Sequence, residues 1–172
     1  FTATSGVPQG SHLGPLLFIL FVNDIGENIK TKHLLFADDV KIFHNIRVQS
    51  DCVDLQRELT AIEEWCHRNS MELNVGKCSA ITYYRIKKPI IHDYSLEGKV
   101  LIRRTDVKDL GVVFTHDLSS TVHINSICLK ASRSLGLLSR TSRLMTDLQT
   151  LRMLYCANVR PILEYCSVVW TP

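Results

Sequence analysis

The sequence has no long apolar run. Its longest unbroken one, Leu16 to Val22, falls far short of the roughly 20 residues needed to cross a bilayer. No basic-then-apolar leader is read at the start, which opens on Phe1 without a methionine. The six cysteines include no Cys-x-x-Cys pair and no Cys/His spacing of the zinc type, which excludes a zinc module. These absences predict reduced thiols in an intracellular protein that does not enter membranes. No repeats or low-complexity segments occur, and no large excess of one charge sign, since the net charge is only +3. That excess is unevenly placed. Residues 1–116 carry 14 Lys/Arg against 14 Asp/Glu, whereas residues 117–172 carry 6 against 3. A modest basic bias late in the chain suits contact with phosphate, and equally suits a solvated face.

What is present is a core's worth of apolar residues, 45% of 172, and one unusual stretch within them. In Leu34 to Phe43, two strand-like apolar runs flank the adjacent carboxylates Asp38 and Asp39. Leu34 to Ala37 and Val40 to Phe43 predict a tight hairpin with Asp38-Asp39 at its tip. Two half-buried carboxylates side by side raise each other's pKa and lose hydration. A divalent cation resolves that conflict, and Mg²⁺ favours one or two carboxylates together with substrate phosphates.

The surrounding motifs identify the context. Ser5 to Phe18, with Pro8-Gln9-Gly10 and then Phe21-Val22-Asn23-Asp24-Ile25, resembles the Pro-Gln-Gly segment of reverse transcriptases. Phe36-Ala37-Asp38-Asp39 resembles their Tyr-Ala-Asp-Asp hairpin, with the ring retained and the hydroxyl lost. Trp65, Leu73-Asn74 and Lys77 resemble the next palm motif, and Leu110-Gly111-Val112 the primer-gripping hairpin. Arg160 to Tyr165 with Val168-Val169-Trp170 resembles the thumb of jockey-type non-LTR retrotransposon polymerases. The resemblance runs from Thr4 to Pro172.

It implies an α+β fold: a partial polymerase palm, antiparallel sheet with helices, over 1–116, then a helical thumb over 117–172. The implied activity is RNA-directed DNA polymerisation by two-metal nucleotidyl transfer, using an RNA template, a DNA primer and dNTPs, with no stable protein partner. Asp38 and Asp39 would hold Mg²⁺ or Mn²⁺, and Lys77 would lie near the triphosphate. Gln9, Gly10, Phe36 and Gly111 would contact nucleotide or primer. A further family aspartate lies on a strand before the Pro-Gln-Gly segment. Residues 1–23 carry no carboxylate to replace it. The alternative is therefore a catalytically inactive retrotransposon remnant that at most binds RNA or RNA–DNA hybrid.

Several local readings follow from pattern alone. Pro15 suits a first helical turn, and the run to about Asn28 predicts a helix buried on nearly every side. Ser50-Asp51 would cap a helix over about 51–67, with Cys52, Leu55, Leu59, Ile62 and Cys66 inward and Arg57, Glu58, Glu63 and Glu64 solvated. Trp65 reads as a core anchor. Leu73 to Arg85 reads as strand, Glu97-Gly98 as a hairpin turn, and Val107 to Phe114 as a strand containing Gly111. From Ser120, Ile124, Ile127, Cys128, Ala131, Leu135 and Leu138 form a helical stripe, and a second helix from Thr146-Asp147 runs until Pro161. Lys130, Arg133, Arg140 and Arg143 lie off the stripe. They would track a duplex by its phosphates or merely solubilise a helical hairpin.

Overall fold

A computed structural model describes residues 10–171, so Gln9 lies outside the described residues. The fold is mixed α+β, built from helices and two-stranded sheets. It divides into two compact units, residues 1–80 with 88–103, and residues 81–87 with 104–172.

In the first unit, α1 (Leu13–Val22) runs into a 3₁₀ turn (Asn23–Asn28), giving the helical stretch expected to about Asn28. The Ser11 hydroxyl accepts the Gly14 N–H at 3.0 Å beside the first turn. The expectation that this helix is buried fails. Only Gly14 is buried, and Leu13, Leu16, Ile19 and Leu20 are each more than half exposed. A helix apolar on every side buries only the side that meets other segments. Here Phe21 reaches the Trp65 ring edge-on, at 5.9 Å between centroids, and Val22 packs against the core.

The hairpin follows as β1 (Lys32–Phe36) and β2 (Asp39–Phe43), antiparallel, with Phe36 opposite Asp39 and Leu35 opposite Val40. Its tip lies one residue earlier than expected. Ala37 and Asp38 form the two-residue loop, and Asp39 already opens the second strand. Ala37 takes φ 50° to make so short a loop, a left-handed conformation that costs a non-glycine residue about 1–2 kcal/mol.

Next, α2 (Gln49–Arg68) carries the inward stripe the periodicity predicts, with Cys52, Ile62, Trp65 and Cys66 buried. Asp51 supports its start from inside the first turn rather than as the cap. Its carboxylate accepts the Arg47 N–H at 2.6 Å and the Val48 N–H at 2.9 Å, and these bonds hold it below the usual carboxylate range. Ile25, Ile29, Ile62, Trp65 and Cys66 form the core, with Ile42 of β2, Met71 and Leu73 packed against it. The strand expected from Leu73 to Arg85 shrinks to β3 (Ser79–Ile81). Val75–Lys77 instead turn tightly, with the Lys77 N–H donating to the Asn74 carbonyl at 3.0 Å. The hairpin at Glu97-Gly98 forms as expected between β4 (Ser95–Leu96) and β5 (Lys99–Val100), both turn residues having positive φ. After it comes β6 (Ile102–Arg104).

In the second unit, the strand expected over Val107 to Phe114 is broken into β7 (Asp106–Asp109) and β8 (Val112–Thr115). Leu110 at φ 43° and Gly111 at φ 91° form the loop between them, and two consecutive positive φ values reverse the chain in two residues. This hairpin belongs to the same compact unit as the helices that follow.

Asp117 ties the next corner, accepting from the Thr115 hydroxyl at 2.6 Å and the Ser119 N–H at 3.1 Å. Then α3 (Thr121–Thr141) packs on β8 and on α4 (Leu148–Asn158) and α5 (Arg160–Glu164), followed by α6 (Ser167–Trp170). Asp147 caps α4 through the Gln149 and Thr150 N–H groups. Pro161 sits in the first turn of α5, where its missing N–H is harmless. The buried stripe of α3 is His123, Ile127 and Ala131, which keeps two of the predicted positions and is turned toward His123. Cys128 and Leu135 are exposed, and Ile124 sits at the margin. The two differ because a histidine occupies an inward position, which a pattern of apolar residues does not register.

Candidate active site

The strand register sets the site's geometry. Directly opposed residues of an antiparallel pair share a face, and the face alternates along each strand. Val40, Ile42 and Leu35 therefore share one face, and Ile42 packs on the core. Asp39 falls on the other face with Phe36 and Leu34, which are 56% and 60% exposed. Ile42 thus anchors the hairpin to the core from one face, and the other face, which carries Phe36 and Asp39 beside Lys32 and Lys41, is left largely open. Asp38 sits in the loop beside the strained Ala37, and both aspartates are exposed rather than half-buried as the sequence predicts, because no other segment among the described residues covers the tip. Non-glycine backbone in this conformation persists where surrounding structure enforces it, often at sites of function.

Two residues missed at the sequence level position this hairpin. Glu58, expected to be solvated, turns its carboxylate to the backbone just before β1, where Oε2 accepts the Lys30 N–H at 2.6 Å and the Thr31 N–H at 3.4 Å. The Thr31 hydroxyl donates to the Phe43 carbonyl at 2.8 Å and closes the open end of the hairpin. Glu63, also expected to be solvated, accepts the Glu97 N–H. Gln56 donates to the Ser95 carbonyl and accepts its N–H, both at 2.9 Å, as a neighbouring strand would. Periodicity could not reveal these residues, because they serve backbone groups from distant parts of the sequence.

Trp65 is the anchor expected. Its indole N–H donates to Asp24 Oδ1 at 3.1 Å, which commits that carboxylate to the helix junction. Burial pushes the Cys66 and Cys78 thiols above their ordinary values, and all six cysteines are unpaired.

The remaining predicted residues are dispersed. Gly10 lies in the turn before α1 at φ 83°, with open space where a Cβ would stand. Lys77 is exposed in its 3₁₀ turn. Lys130, Arg133 and Arg140 are exposed on α3, within about 80° of one another around the helix at 100° per residue. Arg143 lies just past the helix end and lines, with Arg140, Leu144 and Met145, an open groove of about 670 Å³. Gly111 meets the Tyr165 ring.

The hairpin's two carboxylates match what Mg²⁺ or Mn²⁺ takes from a protein when phosphate oxygens supply the rest. Among the described residues, no cluster of three or more Asp, Glu, His or Cys forms a fuller donor set. No helix among them is long and apolar enough to cross a membrane.

The chain belongs to the reverse transcriptase (RNA-dependent DNA polymerase) family, which it matches over residues 1–114. It is similar to the probable RNA-directed DNA polymerase from transposon BS of Drosophila melanogaster, 27% identical over 96% of this chain and 20% of that protein. The RNA-directed DNA polymerase from mobile element jockey of Drosophila funebris is 29% identical over 72% of this chain and 14% of its own length. That from transposon X-element of Drosophila melanogaster, again described as probable, is 28% identical over 96% and 19%. The chain thus spans about a fifth or less of these relatives. No solved structure matches.

Proposed function

We propose that this chain is the palm and thumb portion of a non-LTR retrotransposon polymerase that copies RNA into DNA inside the cell. The observation that carries the reading is the hairpin, which holds Asp38 and Asp39 at an exposed, strained tip on an apolar, core-anchored support. The family match and the transposon polymerases among its relatives support it. In the reaction, a primer 3′-oxygen bonds to the α-phosphorus of a dNTP as the bond to pyrophosphate breaks. Divalent cations bound there would neutralise charge on the attacking and departing oxygens. Asp38 serves as the principal ligand and Asp39 as the second. Phe36, on the Asp39 face, supplies an apolar surface for the nucleotide, and the family motif assigns nucleotide contact to Gln9 and Gly10. Lys77 lies near the triphosphate as a proton donor to the leaving group. Lys130, Arg133, Arg140 and Arg143 contact the duplex backbone.

The test is a chimera in which residues 1–172 replace the aligned segment of the transposon BS polymerase. RNA-templated primer extension should survive the exchange and disappear with Asp38→Asn at unchanged protein yield. Equal extension by the Asp38→Asn chimera would refute the reading. The purified chain alone should not extend a primer, because two carboxylates hold the cations incompletely.

A further inference from the structure

Gly111 and Tyr165 are far apart in sequence and meet in the second unit. An ideal Cβ on Gly111 would stand 3.0 Å from Tyr165 Cε1, a tight contact that the ring could relieve only by shifting a few tenths of an ångström. The Tyr165 hydroxyl donates to the Leu110 carbonyl at 2.9 Å, so ring and hydroxyl together engage both residues of the β7–β8 loop. Tyr165 is itself fixed from behind, since the Trp170 indole N–H donates to its carbonyl at 2.9 Å. Cys166 takes φ 52° and turns the chain between them. The Trp170 ring lies 5.4 Å from the His123 ring, whose Nδ1 accepts the Val113 N–H at 3.3 Å. Loop, α6 and β8 thus close a ring of interactions around one tyrosine.

We infer that Tyr165 is the positioning residue of the Leu110-Gly111 loop, and that glycine stands at 111 to admit its ring. Two requirements coincide there. Position 111 needs φ near +91°, which glycine adopts freely, and it must leave the space the ring fills. The face of Gly111 that a side chain would occupy is taken by the chain's own tyrosine. β8 is held by α3, but the loop itself is exposed, and without a brace it would be the least ordered part of the hairpin. With Tyr165 in place, the loop has one orientation in which to meet a ligand. This rests on the proposed function where it assigns that ligand as the primer end of a hybrid.

The experiment uses the full chain with Tyr165→Ala, Tyr165→Phe, Gly111→Ala and the Tyr165→Ala/Gly111→Ala pair. Amide exchange at Asp109 and Val112 reports loop order. The ratio of affinities for an RNA–DNA hybrid with a recessed 3′ end and for a blunt one reports primer-end alignment, which general loss of stability would not change. Tyr165→Ala should speed exchange roughly tenfold or more and bring the affinity ratio to one, and Tyr165→Phe should fall between parent and Ala. Gly111→Ala should do less harm when Tyr165→Ala is already present, because the obstructing ring is gone. Unchanged exchange in Tyr165→Ala, or equal harm from Gly111→Ala in both backgrounds, would overturn the proposal. If exchange responds but the parent prefers neither hybrid, Tyr165 still positions the loop, and the assignment of the loop to the primer fails. Should Tyr165→Ala not fold, Tyr165→Phe and Gly111→Ala give the same exchange comparison.

Discussion

Replacing Trp65 by alanine tests whether the first unit is built around one side chain. Trp65 is 2% exposed and stands among Ile25, Ile29, Ile62 and Cys66, all buried. A buried tryptophan removes about 150–250 Å² from water, worth roughly 4–6 kcal/mol as an upper bound at about 25 cal/mol per Å². Measured Trp→Ala losses run about 3–5 kcal/mol, since surrounding groups relax partly into the cavity. The bond to Asp24 adds little, because that carboxylate is exposed and water replaces the indole. The expected loss is therefore about 4 kcal/mol, a large share of the roughly 5–15 kcal/mol that holds a domain folded. Urea unfolding followed by far-ultraviolet circular dichroism would measure it, with amide exchange in α2 assigning the loss to the first unit. Trp65→Phe, which keeps a ring, should lose less than half as much. A loss below about 1 kcal/mol for Trp65→Ala would show that the cluster is not the core of this unit.

Three further outcomes are expected. Burial, and secondarily the charge of Lys130, hold His123 below the ordinary imidazole value of 6.5. The unfolded chain then takes up the proton first, so stability present above that value declines as pH falls below it, and His123→Gln should flatten the decline in acid-unfolding curves. Glu58→Ala should speed amide exchange at Lys30 and Thr31 and cost about 1 kcal/mol, whereas unchanged exchange would deny Glu58 its role at the hairpin entry. Joint replacement of Lys130, Arg133 and Arg140 by Gln should lower the salt dependence of hybrid binding by about 0.9 for each phosphate left unneutralised, and equal slopes in a two-salt titration would take α3 out of the interface.

What could be read from the sequence was whatever is local. Apolar spacing located α2 and its inward residues Cys52, Ile62 and Cys66, Pro15 marked a first helical turn, Pro161 marked the end of the helix before it, and Glu97-Gly98 marked its hairpin. The aspartate hairpin was visible because apolar strands around paired carboxylates are a contrast within ten residues. Long-range pairing was hidden. At Leu110-Gly111 the apolar pattern alone read as strand while the motif resemblance implied a hairpin, and the bracing by Tyr165, 55 residues away, was beyond either. In α3, Ile127 and Ala131 were legible, but the turn of the stripe toward His123 was not, because burial of His123 depends on β8 and Trp170, which no local pattern reveals. The exposure of α1 was unreadable too, since an apolar sequence states a preference for burial and not whether other segments meet it.

The chain has only two tryptophans, and they fall one in each unit, Trp65 in the first and Trp170 in the second. Their surroundings differ, for Trp65 is sealed in a core and Trp170 is part-exposed at the end of α6. Intrinsic emission therefore has two separable sources: a blue-shifted one shielded from iodide or acrylamide, and a redder one open to quenching. With Trp170→Phe the remaining light reports only the first unit. With Trp65→Phe it reports only the second, including the Tyr165 corner whose carbonyl the Trp170 indole meets. The protein carries its own pair of optical labels, and a ligand's effect on either unit can be watched without attaching a dye.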